Sequence, residues 1–311
     1  MFMENADRIE ELLDEAYNTE DPEEMERLAR QVLKQDGENV EALILLADVT
    51  DLPDEKISLL EKARQLLEES LESDPLPEDA PFLDDDEGML YVAVLQRLGF
   101  SYFSEGENEK ALEIAQAIME YDPDQQTLGR TLFYRVLLEM KEYGRILEES
   151  LKEQGGSPAM LHSRAIAAFK LSGPGMPAYR ALWEAFAADP EVPFYILGYY
   201  EEPGDDVEEE QESFSLALLF EDAWLAADND TSLPNWLARA TILFGLSASL
   251  FPPENTEKMM ILADALDIAD SVEEALVKLE SREDWGMLSR AEKMRVSLKL
   301  LSEGKYLPLK Q

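Results

Sequence analysis

The chain has 311 residues, and its 68 Asp and Glu against 27 Lys and Arg give a formal net charge of −41. Nucleic acids and anionic membranes are therefore poor partners, because both repel an acidic surface. Cys is absent and His occurs once, at His162, so disulfides, thiolate metal sites and His-dependent triads have almost nothing to be built from. A hydrophobic content of 45% is sufficient for a folded core.

Residues 1–75 have the pattern of amphipathic helices. The first apolar stripe recurs at intervals of three and four residues, at Ile9, Leu12, Leu13 and Ala16. Asp21-Pro22 then supplies a helix cap and a first-turn proline for the next helix. No run alternates as a strand would, so we predict an all-α fold. The N-terminus lacks the basic start and apolar centre of a secretory signal, and we expect a cytoplasmic protein.

Residues 76–88 are acidic and rich in proline, which predicts a solvated linker or loop. Within this segment, Asp84-Asp85-Asp86-Glu87 could gather a hard cation such as calcium. The segment lacks the alternating ligands and turn glycine of an EF-hand, so we favour a solvated loop and predict no metal and no cofactor.

Residues 89–190 contain a repeated pattern. One copy has the residues Leu95, Leu98-Gly99, Tyr102, Ala111, Ala115, Ile118 and Pro123, and a second has Phe169, Ala178, Leu182, Ala185 and Pro190 at matching intervals. The pattern resembles the tetratricopeptide repeat, with Leu95 in place of its Trp. The resemblance, with weaker copies in residues 1–75, implies an α-solenoid of antiparallel helical hairpins in which Gly99 and Ala111 are small where two helices touch.

Residues 191–311 are expected to continue as an all-helical region with an acidic loop at 201–212. This region is loosely similar to the suppression-of-tumorigenicity family, a resemblance that implies no catalytic activity or ligand for this chain. The apolar stretch from Leu233 to Pro253 predicts a buried helix, because it is interrupted by Arg239 and ends in two prolines. Residues 278–311 carry eight Lys and Arg against five Asp and Glu, so this tail is predicted either to dock on the acidic body or to present a site of its own.

The repeat resemblance also implies a binding surface, because the first helix of each hairpin lines a concave groove in that family. Transferring the groove positions selects Gln96, Phe100, Phe103, Arg130, Tyr134 and Leu137. Aromatic side chains with few charges are typical of binding surfaces, although the same aromatics could pack in the core. The Lys and Asn with which some relatives hold a terminal carboxylate are replaced here by Gln96 and Phe100.

These observations predict a non-catalytic scaffold or adaptor that binds a peptide or helix of a protein partner, with the acidic surface favouring a basic one. Two alternatives stay open. The C-terminal helices, including Trp285, could form a structural homo-oligomer, or a carboxylate-based or divalent-metal enzyme could be hidden among the acidic residues. His162 is predicted to be structural, since a lone His seldom forms a site.

Overall fold

The computed structural model describes residues 2–75, 81–153, 155–204, 208–225, 231–303 and 306–307. Within these ranges the chain forms sixteen α-helices and no strand, which confirms the all-α prediction. No helix in the described part is both long and apolar enough to cross a membrane. The chain divides into two compact units, Met1–Val136 and Leu137–Gln311.

The first unit is built from consecutive helices, and from α1 to α6 each helix contacts the next. Their starts follow the capping signals in the sequence: Asp21 accepts a hydrogen bond from the Glu23 amide, and Asn39 accepts one from the Ala42 amide. The helices are α1 (Phe2–Asn18), α2 (Pro22–Gln35), α3 (Val40–Val49), α4 (Pro53–Ser73), α5 (Asp86–Ser104), α6 (Asn108–Tyr121) and α7 (Gly129–Glu139), the last of which contains the boundary between the units.

The core of the first unit is formed by the predicted apolar stripes. Three of the four residues in the first stripe are buried in one cluster, which comprises Leu12, Leu13, Ala16, Leu28, Ala29, Val32, Ala42, Leu45 and Leu46. Farther along, a methyl group on Gly99 would lie 2.9 Å from Ile114 Cγ2 and 2.5 Å from Leu132 Cδ2. A larger residue at position 99 would force neighbouring side chains to shift where α5 meets α6 and α7, so a small residue is favoured there, as the repeat pattern predicted.

The structure departs from the prediction of a linker or loop over residues 76–88. Residues 76–80 lie outside the described part, and Phe82–Asp84 forms a short 3-10 turn. Helix α5 already begins at Asp86, so the loop prediction is wrong for the last residues of the segment. The reason is that Asp85 acts as the helix cap, with its Oδ1 accepting the amides of Glu87 and Gly88 at 2.9 and 3.1 Å.

The second unit is also helical, and its helices are α8 (Tyr143–Ser150), α9 (Pro158–Ser172), α10 (Met176–Ala188), α11 (Val192–Ile196), α12 (Glu208–Leu225), α13 (Ser232–Ala248), α14 (Thr256–Ala265), α15 (Ala269–Glu280) and α16 (Arg290–Leu301). Helix α13 confirms the buried helix predicted from Leu233 onward. The predicted acidic loop 201–212 is wrong from Glu208, where α12 starts, and residues 205–207 lie outside the described part.

Aromatic side chains dominate the core of the second unit. Trp236 stacks on Phe169 at 4.7 Å between ring centroids, and it also lies 5.4 Å from Tyr179 and 6.1 Å from Trp224. Trp224 and Trp236 are both buried and belong to the core. This cluster joins α9, α10, α12 and α13.

Candidate functional site

A pocket of about 560 Å³ lies in the first unit, between the turn that joins α3 to α4 and one face of α5. We call it the Phe100 pocket. The lining residues that matter for its chemistry are Pro53, Lys56, Gln96, Arg97, Phe100 and Leu128. Four of them come from α5 or the residue before α7, and the other two come from the start of α4.

An ion pair between α3 and α5 fixes one wall of the Phe100 pocket. The Arg97 guanidinium donates to the Asp48 carboxylate through Nε at 2.9 Å and through Nη2 at 3.0 Å. Both side chains are 37% exposed, so the pair contributes modestly to stability. Its two-point geometry nevertheless holds Arg97 in one orientation beside the pocket.

Gln96 fixes another part of the pocket lining. Its Oε1 accepts a hydrogen bond of 2.9 Å from the backbone amide of Leu128, which ties the segment before α7 to α5. Leu128 itself is 48% exposed. The bond therefore presents an apolar side chain to solvent at the pocket edge, where burial by a ligand would be favourable.

Charge and apolar surface meet in this pocket. Phe100 is half-buried, and Pro53 and Leu128 add apolar area beside it. Exposed carboxylates at Asp51 and Glu105 also line the pocket. The arrangement can hold an apolar side chain against Phe100 and a cation at the acidic residues.

The six residues selected from the sequence are separated by the structure. Gln96 and Phe100 line the Phe100 pocket. Phe103 is half-buried and lies outside its lining, with the Arg135 guanidinium 5.0 Å from its ring centroid. Arg130 is half-buried and does not line the pocket either.

The groove prediction is wrong for Tyr134 and Leu137, since neither side chain is exposed at all. Every residue from 131 to 138 is buried, so α7 has no open face over these two turns. Six of these eight residues are apolar, and the polar Thr131 and Arg135 are buried with them. The transfer of groove positions along α7 assumed an amphipathic helix that this stretch of sequence does not encode.

Sequence reasoning missed the part of the pocket that precedes α5. Pro53 and Lys56 belong to α4, and helical spacing on α5 gives no information about which earlier element lies opposite. One signal was present in the sequence. Asp51-Leu52-Pro53 interrupts the helical pattern of the sequence between α3 and α4, and functional residues are often found on such connections.

The residues considered for catalysis or metal binding do not form a site together. His162 is fully buried among aromatic rings of the second unit, 6.0 Å from Trp224 and 6.1 Å from Phe220 between centroids. Burial lowers its pKa to about 4. Among the described residues, no three Asp, Glu or His side chains converge where they could hold a metal ion.

Comparisons with protein-family models, curated proteins and solved structures gave no match to this chain. The tetratricopeptide and suppression-of-tumorigenicity resemblances therefore rest on the sequence pattern alone.

Proposed function

We propose that this chain is a non-catalytic protein-binding protein that holds a peptide segment of a partner in the Phe100 pocket. The observation that carries the proposal is the half-buried Phe100 at a pocket of about 560 Å³, flanked by Gln96 and by exposed Leu128. A pocket of this size accepts one or two side chains, and a partially exposed aromatic is a typical anchor.

The proposed architecture around this pocket is a solenoid of antiparallel helical hairpins resembling tetratricopeptide repeats. Two observations support it: the contact of each helix from α1 to α6 with the next, and connections of three or four residues between these helices except for the 12 residues between α4 and α5. Helices joined by a few residues pack as antiparallel neighbours. The non-catalytic part of the proposal rests on composition, because the chain has no Cys and one His.

The partner segment is proposed to be basic with an apolar anchor residue. Asp51 and Glu105 line the pocket, and because Arg97 is already paired with Asp48, Lys56 is left to balance two carboxylates. The net charge of −41 would speed the approach of a basic segment, with a larger effect on the association rate than on the final affinity.

The test is capture of partners from a native lysate on the immobilised full chain, compared among three proteins. They are the wild type, Phe100→Ala, and Phe103→Ala as the control of matched residue type on the same helix but outside the pocket. We expect a partner that the wild type and Phe103→Ala retain and that Phe100→Ala loses. Circular dichroism melts confirm that both variants fold.

Two results would contradict the proposal. One is an identical set of captured proteins on all three immobilised chains, because Phe100 would then make no contribution. The other is a set that disappears at moderate salt irrespective of the variant, which would show nonspecific attraction to the acidic surface.

A further inference from the structure

Helix α16 separates two concave surfaces of the second unit. The first, of about 690 Å³, lies between α10 and α16, and we call it the α16 groove. The apolar part of its lining includes Trp183, Phe186, Met294 and Leu298. The second surface, of about 560 Å³, lies on the side of α16 that faces α15.

The charges around the α16 groove are opposite in sign to those of the chain as a whole. Arg180, Arg295 and Lys299 line the groove and are exposed. None of these three forms an ion pair with a carboxylate of the described residues. The carboxylate of the lining residue Glu184 is bound by Arg164. The groove therefore presents three exposed cations that are not held in close ion pairs, although the carboxylate of Glu292 on the same helix lies near enough to Arg295 to interact with its charge.

The positive surface continues around α16. Arg295 and Lys299 also line the surface beside α15, together with Glu303 and with Lys278 and Arg282, which are paired with Glu274 and Asp284. Residues 295 and 299 are four apart, so they lie on the same side of the helix. Within a sequence of net charge −41, this side of α16 forms a compact cationic patch next to apolar surface.

Helix α16 is held firmly in position. The Ser297 hydroxyl donates a buried hydrogen bond of 3.1 Å to the Ser247 carbonyl on α13. The Arg290 guanidinium contacts the Glu191 carboxylate at 2.8 Å. Part of the basic tail thus docks on the acidic body, and Arg295 and Lys299 remain presented at the groove. A preorganised groove binds its ligand with less loss of conformational entropy.

We infer that the α16 groove binds an acidic amphipathic helical segment of a partner protein, with its apolar side chains on the half-buried Met294 and Leu298 and its carboxylates on Arg180, Arg295 and Lys299. Charge complementarity determines this choice. The 12 residues of α16 span about 18 Å, which matches a ligand helix of about three turns. The inference is independent of the Phe100 pocket, which lies in the other unit and favours a ligand of opposite charge.

The test is a selection from a displayed library of amphipathic peptides whose polar positions vary among Asp, Glu, Lys and Arg. The target is the full chain near physiological salt. We expect enrichment of net-acidic peptides with apolar residues at helical spacing. Enrichment of neutral or basic peptides, or no enrichment, would overturn the inference.

The site is assigned by variants of the full chain, with binding of the enriched peptide measured by fluorescence anisotropy. Arg295→Glu combined with Lys299→Glu should weaken binding at least about tenfold. The control, Lys170→Glu combined with Lys258→Glu, changes the net charge equally at exposed positions of the same unit outside the groove. Leu298→Ala tests the apolar contact and should also weaken binding about tenfold.

Equal effects of the two double charge variants would overturn the groove assignment, because only net charge would then matter. If Arg295→Glu with Lys299→Glu unfolds the protein, Arg295→Gln with Lys299→Gln replaces it, and a smaller loss of the same direction is expected. Sedimentation of the wild type gives a further outcome. If the wild type is a dimer and Arg295→Glu with Lys299→Glu dissociates it, the groove binds a second copy of this chain. That result would overturn the inference that it binds a segment of another protein.

Discussion

The single histidine gives a test of the core of the second unit. His162 is fully buried, and neither ring nitrogen has a hydrogen-bond partner among the described residues. Burial without a partner disfavours the charged imidazolium, and it lowers the pKa from an ordinary value of 6.5 to about 4. We predict that protonation of His162 opposes folding in mildly acidic solution.

The sign and size of this effect on the free energy of unfolding follow from proton linkage. Between the two pKa values the unfolded chain binds a proton at His162 and the folded chain does not, so stability is complete above pH 6.5 and falls as the pH decreases toward 4. From about pH 7.5 to about pH 5, this one group should remove about 2 kcal/mol from the free energy of unfolding.

The assay is urea unfolding of the wild type and of His162→Leu at constant ionic strength, followed by tryptophan fluorescence. Trp183, Trp224, Trp236 and Trp285 all belong to the second unit, so fluorescence reports on the unit that contains His162. The many carboxylates are common to both proteins and cancel in the difference between their pH profiles. The wild type should lose about 2 kcal/mol more than the variant between about pH 7.5 and about pH 5.

Parallel pH profiles of the two proteins would refute this reasoning. The imidazole resonance gives a second check, because the chain has only one His. An NMR titration of that resonance with a midpoint near 6.5 in the folded protein would show that His162 is solvated, and the described packing around Trp224 and Phe220 would then be wrong.

Three further predictions concern the first unit, which lacks Trp, and each is checked by urea unfolding followed by circular dichroism. Gly99→Ala should lower stability by about 1–3 kcal/mol, because its methyl group would clash with Ile114 and Leu132; unchanged stability would contradict the described packing. Asp85→Ala should cost about 1 kcal/mol through loss of the α5 cap, whereas Asp85→Asn should retain most of that stability. A double-mutant cycle on Asp48 and Arg97 should give a coupling of about 0.2–1 kcal/mol that diminishes with salt, and a coupling insensitive to salt would show that the pair is more buried than 37% exposure indicates.

The fold class and much of the core could be predicted because they depend on local signals. Helical spacing identified Leu12, Leu13 and Ala16 as buried, and Asp21-Pro22 marked the start of α2. The small residue at Gly99 was also readable, since its place in the repeat pattern required close approach of two helices. Each of these inferences uses residues within one or two helices.

The candidate site was predicted only in part because it depends on which elements face each other. Gln96 and Phe100 lie four residues apart on one face of α5, and the groove positions implied by the tetratricopeptide resemblance selected both of them. Tyr134 was misplaced because the run from 131 to 138 is buried on every side, and a groove position requires an open face. The α16 groove could not be predicted from the sequence, because Trp183 and Leu298 are more than a hundred residues apart and no local pattern relates them.

The contrast in charge between the two sites leads to a prediction about salt. At low ionic strength the net charge of −41 repels an acidic peptide over long distances, but near 0.15 M the Debye length is about 8 Å and distant carboxylates are screened. The contacts of a bound peptide with Arg295 and Lys299 act within that distance. Affinity at the α16 groove should therefore pass through a maximum as salt is raised, and a basic peptide at the Phe100 pocket should weaken continuously. Anisotropy titrations over a series of salt concentrations measure both, and a continuous decrease for the acidic peptide would show that the long-range repulsion is negligible.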